Sequence, residues 1–447
     1  MENPAATPLS TDLYQLTMMA AYYSRGRHES SLATFELFAR RMPPHRAYLV
    51  AAGLGPLLEY LETVHFTADE IAWLESLPSM ARVQAGFFDY LKSFRFRGEV
   101  WAVPEGTPVF TNEPLLRVTA PLAQAQLIET AALAFINYPT SVASKTARIV
   151  SAAKGRPIME FGARRAHGVV AALHASRAAF IAGCASTSFV QAGREFGIPL
   201  SGTMAHSWIL SAPSEIEAFE QYAALFGEHS ALLLDTYDTV AAARAVVRSG
   251  LRPVAVRLDS GDLLGLSREV RSILDAGGLR DTKIIASGDV DEFVIASLLA
   301  RRAPIDAFGV GTALVTSQDA PALGGIYKLV EIEDHGQPRR VMKRSVGKAT
   351  WPGRKQVWRV LSGGQAVRDV IAFESEPPVE GARPLLITVM RGGRRVERLP
   401  ALPESREWCA ARLTELPRPL LDVDAVPAYR AEPSDVLRRA ISPILTP

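Results

Sequence analysis

The sequence predicts an α/β fold: an irregular α/β barrel of parallel βα units, with an α+β domain built from the N- and C-terminal parts of the chain. Three observations lead there. Between Pro157 and about Val330 short apolar strands alternate with amphipathic helices, and repeated βα units impose a parallel sheet. Before this stretch helices and strands mix without alternation, and after about Glu331 the text turns strand-rich again, so the two ends read as one domain with the barrel inserted. Polar residues gather at the carboxyl ends of the alternating strands, where parallel α/β folds place ligands.

The elements follow in order. An amphipathic helix is expected over residues 11–23, capped by Thr11 or Asp12 and carrying Tyr14 in its first turn, then an extended segment over 32–38. Residues 54–88 read as helical, 94–103, 108–110 and 115–118 as short strands between Gly and Pro breakers, and 122–137 as helix. The barrel strands are expected at 157–161, 200–203, 231–234, 254–258, 284–286 and 307–310. Its helices are expected at 169–181, 215–226, 240–248, 263–274 and 293–301. Strands at 340–344 and 356–361 and a proline-rich tail from Pro417 close the chain. The resulting parts are 1–140, 141–330 and 331–447, the last packing with the first.

Composition excludes several classes. The 447 residues exceed one ordinary core, on a prior of roughly 100–200 residues per domain. With 49 basic and 47 acidic side chains the formal charge is +2, so neither nucleic acid nor an anionic membrane is an expected partner. The only cysteines, Cys184 and Cys409, lie far apart in no ligand spacing, which excludes a disulfide framework and fits a reducing, cytoplasmic setting. The polar start of the chain does not read as a secretory signal, and no apolar run reaches the ~18 residues of a membrane helix.

His206, in Gly202-Thr203-Met204-Ala205-His206-Ser207, is the most informative residue: it follows a short apolar run among side chains too small to hide an imidazole. Neutral imidazole accepts a proton or a phosphoryl group near neutral pH. In Glu160-Phe161-Gly162-Ala163-Arg164-Arg165 two guanidiniums just beyond a strand suit bidentate phosphate recognition. In Arg257-Leu258-Asp259-Ser260-Gly261-Asp262 the carboxylates of Asp259 and Asp262 bracket a Ser-Gly turn and suit ribose hydroxyls or a hydrated Mg²⁺; the same text also reads as a turn with capping Asp residues. Two small-residue turns, Ala286-Ser287-Gly288-Asp289 and Gly309-Val310-Gly311-Thr312, end strands and open backbone N–H groups toward a phosphate. Gly347-Lys348-Ala349-Thr350 lacks the earlier glycine of a P-loop, and no dinucleotide fingerprint follows a strand.

Taken together, these blocks resemble the nicotinate phosphoribosyltransferases. The match comprises residues 11–18 (Thr-Asp-Leu-Tyr-Gln-Leu-Thr-Met), 160–165 with Gly168, 202–207, 257–262, 286–289, 308–312 and 348–359, in order along nearly the whole chain. The resemblance implies an enzyme that joins nicotinate to 5-phosphoribosyl 1-diphosphate, giving nicotinate mononucleotide and diphosphate in NAD salvage, with Mg²⁺. ATP hydrolysis would be coupled through a phosphohistidine at His206. It further implies that Tyr14 stacks on the pyridine ring, that Thr203 and Arg257 hold nicotinate, and that Thr312 lies at the ribose phosphate. Arg164 and Arg165 would hold phosphate or diphosphate, and Phe161, Gly288, Asp289, Gly309 and Gly311 would complete the substrate wall. From the chemistry of the reaction rather than the resemblance, Asp259 or Asp262 could face the cationic ribose, and Glu160 and Asp235 are the candidates to orient His206, with the choice between them open. The active site of the family lies at a homodimer interface.

Two departures qualify the match. Cys409 stands without the C-terminal cysteine cluster that binds zinc in some members, so no structural metal is expected. The residue after Thr203 is Met204 where the related nicotinamide enzyme has an acidic side chain, so nicotinate is favoured over nicotinamide. The alternatives are a quinolinate or nicotinamide phosphoribosyltransferase, or a sugar-phosphate barrel enzyme. The first needs no His206, and the last wants a strand-end lysine that the barrel text lacks before Lys328.

Overall fold

The computed structural model describes residues 6–343, 350–424 and 429–445. The chain divides into two compact units. One comprises Met1–Ser141, Ala322–Leu420 and Ala425–Pro447, the other Val142–Pro321 and Leu421–Asp424.

The first unit is organised on a seven-stranded antiparallel sheet. An interior strand, Ser31–Ala39, is buried along almost its whole length and pairs with Pro114–Pro121 on one side and Gly325–Asp334 on the other. The two ends of the chain therefore share one sheet, as expected from their similar text. The boundary expected at 330 falls inside Gly325–Asp334, a strand with no breaker after its first residue that pairs from Ser31↔Asp334 to Ala39↔Gly325. The helix expected to stop at 137 instead runs from Glu129 to Ala152, through Pro139. Proline costs that helix a hydrogen bond to the Phe135 carbonyl. Gly53, at φ +96°, passes so close to this carbonyl that a Cβ would stand 1.8 Å from its oxygen.

A smaller sheet in the same unit orders Ala382–Pro384, Lys355–Ser362, Gln365–Phe373 and Ala431–Pro433. The proline-rich ending thus contains a strand, followed by the helix Asp435–Leu445. The strand expected at 340–344 ends at Arg340; Arg344 and the Gly347-Lys348-Ala349 motif lie outside the described residues.

The second unit carries a curled, half-barrel parallel sheet of six strands. In chain order these are β1 (Ile158–Glu160), β2 (Ser186–Thr187), β3 (Ala231–Leu233), β4 (Ala255–Leu258), β5 (Lys283–Ala286) and β6 (Ala307–Val310). Hydrogen-bonded neighbours run β2-β1-β6-β5-β4-β3. Met159, Phe161, Ala231, Ala255 and Ile285 form an apolar cluster along the sheet. The strand expected at 200–203 is not one. The two-residue β2, too short to show a period, takes the edge, and Leu200 adds only an isolated bridge to Thr187.

The loops after β3, β4 and β5 share a device. Asp238, Asp262 and Asp291 each cap the following helix, accepting from Ala241 N at 2.7 Å, Leu264 N at 3.2 Å and Val294 N at 2.8 Å. Each cap is worth about 1 kcal/mol and fixes where the helix starts. Of the carboxylates nearer the strand ends, Asp259 and Asp289 line the cavity described below. No helix among the described residues is long and apolar enough to cross a membrane.

Candidate active site

A cavity of about 490 Å³ opens at the carboxyl ends of β1, β4, β5 and β6. Phe161, Arg164 and Arg165 line it after β1, Arg257 and Asp259 at β4, residues 287–291 after β5, and Gly309, Gly311, Thr312, Ala313 and Gln318 at β6. The volume suits a small-molecule ligand.

Arg257 is the hub. Its Nε donates to Ser287 Oγ at 2.7 Å, Nη1 to Thr203 Oγ1 at 2.9 Å and Nη2 to Asp259 Oδ1 at 2.6 Å. Its guanidinium also sits 5.6 Å from the Phe161 ring centroid. A guanidinium has five N–H groups, and these bonds use one from each nitrogen. One N–H on each terminal nitrogen is left for a ligand. Asp259 Oδ1 also accepts from Ser287 Oγ at 2.6 Å. Burial pushes the Asp259 carboxyl up, but the Ser287 hydroxyl, the Arg257 guanidinium and His206 together hold it below the usual carboxylate range. The network keeps a charged carboxylate beside a charged guanidinium.

His206 opens the short helix His206–Leu210, half exposed. Its Nδ1 lies 3.1 Å from Thr236 Oγ1, and its Nε2 lies 3.9 Å from Asp259 Oδ2. The group that orients the ring is the Thr236 hydroxyl, which the sequence reading passed over although it sits just beyond β3 among the strand-end positions. Neither expected carboxylate does this. Glu160 is fully buried, with Oε1 accepting from Gly162 N and Oε2 from Ser176 Oγ at 2.9 Å and Thr187 Oγ1 at 2.6 Å. It ties β1, β2 and the helix Val169–Ile181 together, and so fixes the turn Ala163–Arg165 from which Arg164 and Arg165 project, exposed, at the cavity. Asp235 Oδ2 accepts from Asp259 N at 3.1 Å and from Ser260 Oγ.

Two further expectations change. Asp262 does not line the cavity; it is the helix cap described above, because its side chain turns back to Leu264 N. Met204 is 5% exposed and is not a cavity residue. Tyr14 lies in the first unit, on the helix Leu13–Ser24, with 48% of its surface exposed. Asp291 and Gln318 line the cavity without having been singled out as ligand contacts.

The turn after β5 admits little variation. Gly288 has φ +79°, and a Cβ there would stand 1.7 Å from the Asp259 carbonyl oxygen. Its neighbour Asp289 holds φ +46°, unusual for a side chain with a Cβ. The backbone of this turn is thus pressed against β4, which brings Ser287 within reach of both Arg257 and Asp259.

A model of the nicotinate phosphoribosyltransferase (NAPRTase) N-terminal domain matches residues 9–137. The nicotinate phosphoribosyltransferase pncB2 of Mycobacterium tuberculosis (strain ATCC 25618 / H37Rv) is 44% identical over 423 residues, 93% of this chain and 89% of that protein. This chain belongs to the nicotinate phosphoribosyltransferase family. The nicotinate phosphoribosyltransferase of Bacillus subtilis (strain 168) is 44% identical over 82% of this chain and 76% of its own. The crystal structure of human nicotinic acid phosphoribosyltransferase shares the fold at a TM-score of 0.83 with 29% identity, covering 98% of this chain and 100% of that one. Membership of the nicotinate phosphoribosyltransferase family at this identity makes the chain an enzyme of that type, and the cavity at the strand ends is where its chemistry is sought.

Proposed function

We propose that the enzyme joins nicotinate to 5-phosphoribosyl 1-diphosphate, in the salvage branch of NAD biosynthesis, and that ATP hydrolysis drives the reaction through a phosphohistidine at His206. The observation that carries this reading is the Arg257 network: one guanidinium tied to Thr203, Asp259 and Ser287, with His206 facing the same Asp259.

The chemistry follows from the wall of the cavity. The pyridine nitrogen attacks the anomeric carbon, the new N–C bond forms, and the C–O bond to diphosphate breaks. Arg257 offers its remaining N–H groups to the nicotinate carboxylate, a planar pairing for which guanidinium is suited. Arg164 and Arg165, with the backbone of the Gly288 and Gly311 turns, take the phosphate groups and the charge that develops on the leaving diphosphate. Asp259, held ionised, balances the positive charge that gathers on the ribose. Thr312 sits at the ribose phosphate.

Asp259, Asp289 and Asp291 are the oxygen donors of this wall that would hold Mg²⁺. Among the described residues no group of three or more His, Cys, Asp or Glu side chains forms a metal cage. When bound, the ion would neutralise charge on the leaving group. The γ-phosphoryl of ATP moves to the ring nitrogen of His206 that Thr236 leaves open, Nε2, and ADP departs. The added charge, about −1.5 to −2 by analogy with other phosphorylated side chains, draws the nearby guanidinium and tightens substrate binding until hydrolysis relaxes it. We further propose a cytoplasmic homodimer with shared active sites, in which Tyr14 of one subunit stacks on the base bound by the other.

A single assay tests the reading. Purified enzyme with nicotinate, phosphoribosyl diphosphate, Mg²⁺ and ATP should yield nicotinate mononucleotide, diphosphate and ADP, while quinolinate and nicotinamide in place of nicotinate should give at most traces. Preferred turnover of either replacement base overturns it.

A further inference from the structure

Lys145 lies outside the cavity, buried on the helix Glu129–Ala152, with only 2% of its side chain exposed. Its ammonium meets two carboxylates, Glu292 Oε2 at 2.6 Å and Asp319 Oδ1 at 2.9 Å. Glu292 is wholly buried and is completed by Arg148, whose Nε lies 3.0 Å from Oε1. Asp319 is only 16% exposed. The four charges balance, two of each sign.

What the two carboxylates follow in sequence gives the cluster its meaning. Glu292 comes directly after the turn of residues 287–291, all of which line the cavity beyond β5. Asp319 comes directly after Gln318, the last cavity residue of the segment that begins at Gly311 beyond β6. Those two segments are the glycine turns assigned above to phosphate. Each therefore ends on a carboxylate, and one buried ammonium holds both.

Burying such a cluster is costly, and a buried ion pair is weak evidence for stability alone. Fixing the spacing of two backbone segments is a task it performs well, because the cost of separating the charges is high. Ser317, just before Gln318, sits at φ +45°, a conformation that a non-glycine residue keeps only when its surroundings impose it. The anchor at Asp319 lies two residues beyond.

We propose that Lys145 is a positioning residue that sets the width of the phosphate-binding mouth between the β5 and β6 turns, and so acts on phosphoribosyl diphosphate and not on the pyridine base. The inference rests on the reading of those turns as the phosphate end of the site. Lys145→Met should raise KM for phosphoribosyl diphosphate at least tenfold and weaken inorganic diphosphate binding measured by calorimetry, with KM for nicotinate within twofold of wild type. Asp319→Asn, which releases the β6 turn but leaves the Lys145–Glu292 pair, should move the same constants in the same direction by a smaller factor. It also serves as the test should Lys145→Met fail to fold. Lys145→Arg, which can still bridge two carboxylates, should recover most of the diphosphate affinity.

The inference is overturned if Asp319→Asn and folded Lys145→Met keep wild-type KM for phosphoribosyl diphosphate, or if both substrates' constants shift in parallel with thermal stability. If wild-type enzyme itself makes no mononucleotide, the functional reading fails first, and diphosphate binding by the variants still tests the anchor.

Discussion

The carboxylate of Asp259 faces the imidazole of His206: Oδ2 stands 3.9 Å from Nε2, just beyond hydrogen-bond reach, while Arg257 and Ser287 hold Oδ1. One carboxylate thereby links the group proposed to accept phosphate to the guanidinium proposed to hold the base. A phosphoryl group on Nε2 would enter the space in front of an anion and press on the same Arg257 that the base uses. Coupling between ATP and substrate affinity needs such a shared element, one whose arrangement both ligands bias.

Asp259→Asn should lower kcat/KM about 100-fold, the usual scale for removing one preorganised electrostatic partner of a transition state. The substitution also carries a pH signature. Because the folded-state pKa lies below the ordinary 3.8, the charge on Asp259 stabilises the fold fully above that ordinary value and loses its contribution as pH falls through the lower folded value. The wild-type advantage in thermal stability should therefore be constant from neutral pH down to mildly acidic buffer and narrow only below pH 3.8. A difference that closes near neutrality instead would assign it to another group.

Glycines in the site text are not equivalent. Gly288→Ala places a Cβ 1.7 Å from the Asp259 carbonyl oxygen at positive φ, so the turn must move. A loss of about 1–3 kcal/mol in chemical denaturation is expected, together with weaker phosphoribosyl diphosphate binding. Gly202 has no atom within 4 Å of a Cβ position, and Gly202→Ala should leave stability unchanged. Equal effects of the two would remove the β5 turn from its assigned place against β4.

Much of this was legible in the sequence. The helices Val169–Ile181 and Glu215–Phe226 and the strand Ala307–Val310 have the bounds their apolar pattern gives, because each is bracketed by breakers or a capping residue. Elements without a period were not legible. The strand Ser186–Thr187 has two residues, and Pro139 looks like an end to a helix that in fact continues to Ala152. In the site, the strand-end rule found Arg257, Asp259 and Ser287 but could not sort carboxylates by partner. Asp259 and Asp262 look alike in sequence, and only the structure shows one on Arg257 and the other on its own helix. Glu160 read as a candidate to orient His206 because it ends a strand, yet both of its oxygens are spent on β2, the Val169–Ile181 helix and the next turn.

Shared active sites predict complementation. Tyr14→Ala should lose the stacking face and Arg257→Ala the pairing charge, so each should be nearly inactive alone. Co-expressed chains that pair at random in a two-fold dimer should recover about a quarter of the sites, since mixed dimers hold one doubly altered and one intact site. Purified mixed dimers as inactive as either parent would place Tyr14 in its own subunit's site, or remove it from the site altogether.

The most direct measurement compares wild-type enzyme and His206→Ala side by side with γ-labelled ATP, nicotinate and phosphoribosyl diphosphate, following acid-labile protein phosphate, ADP and mononucleotide together. Wild-type enzyme should give labelled protein, with ADP formed alongside mononucleotide. His206→Ala should show neither label nor ATP hydrolysis, with a slow residual synthesis of mononucleotide that ignores ATP, because Arg257 and Asp259 carry out the transfer itself. Undiminished ATP-coupled synthesis by His206→Ala would contradict a phosphohistidine at this position.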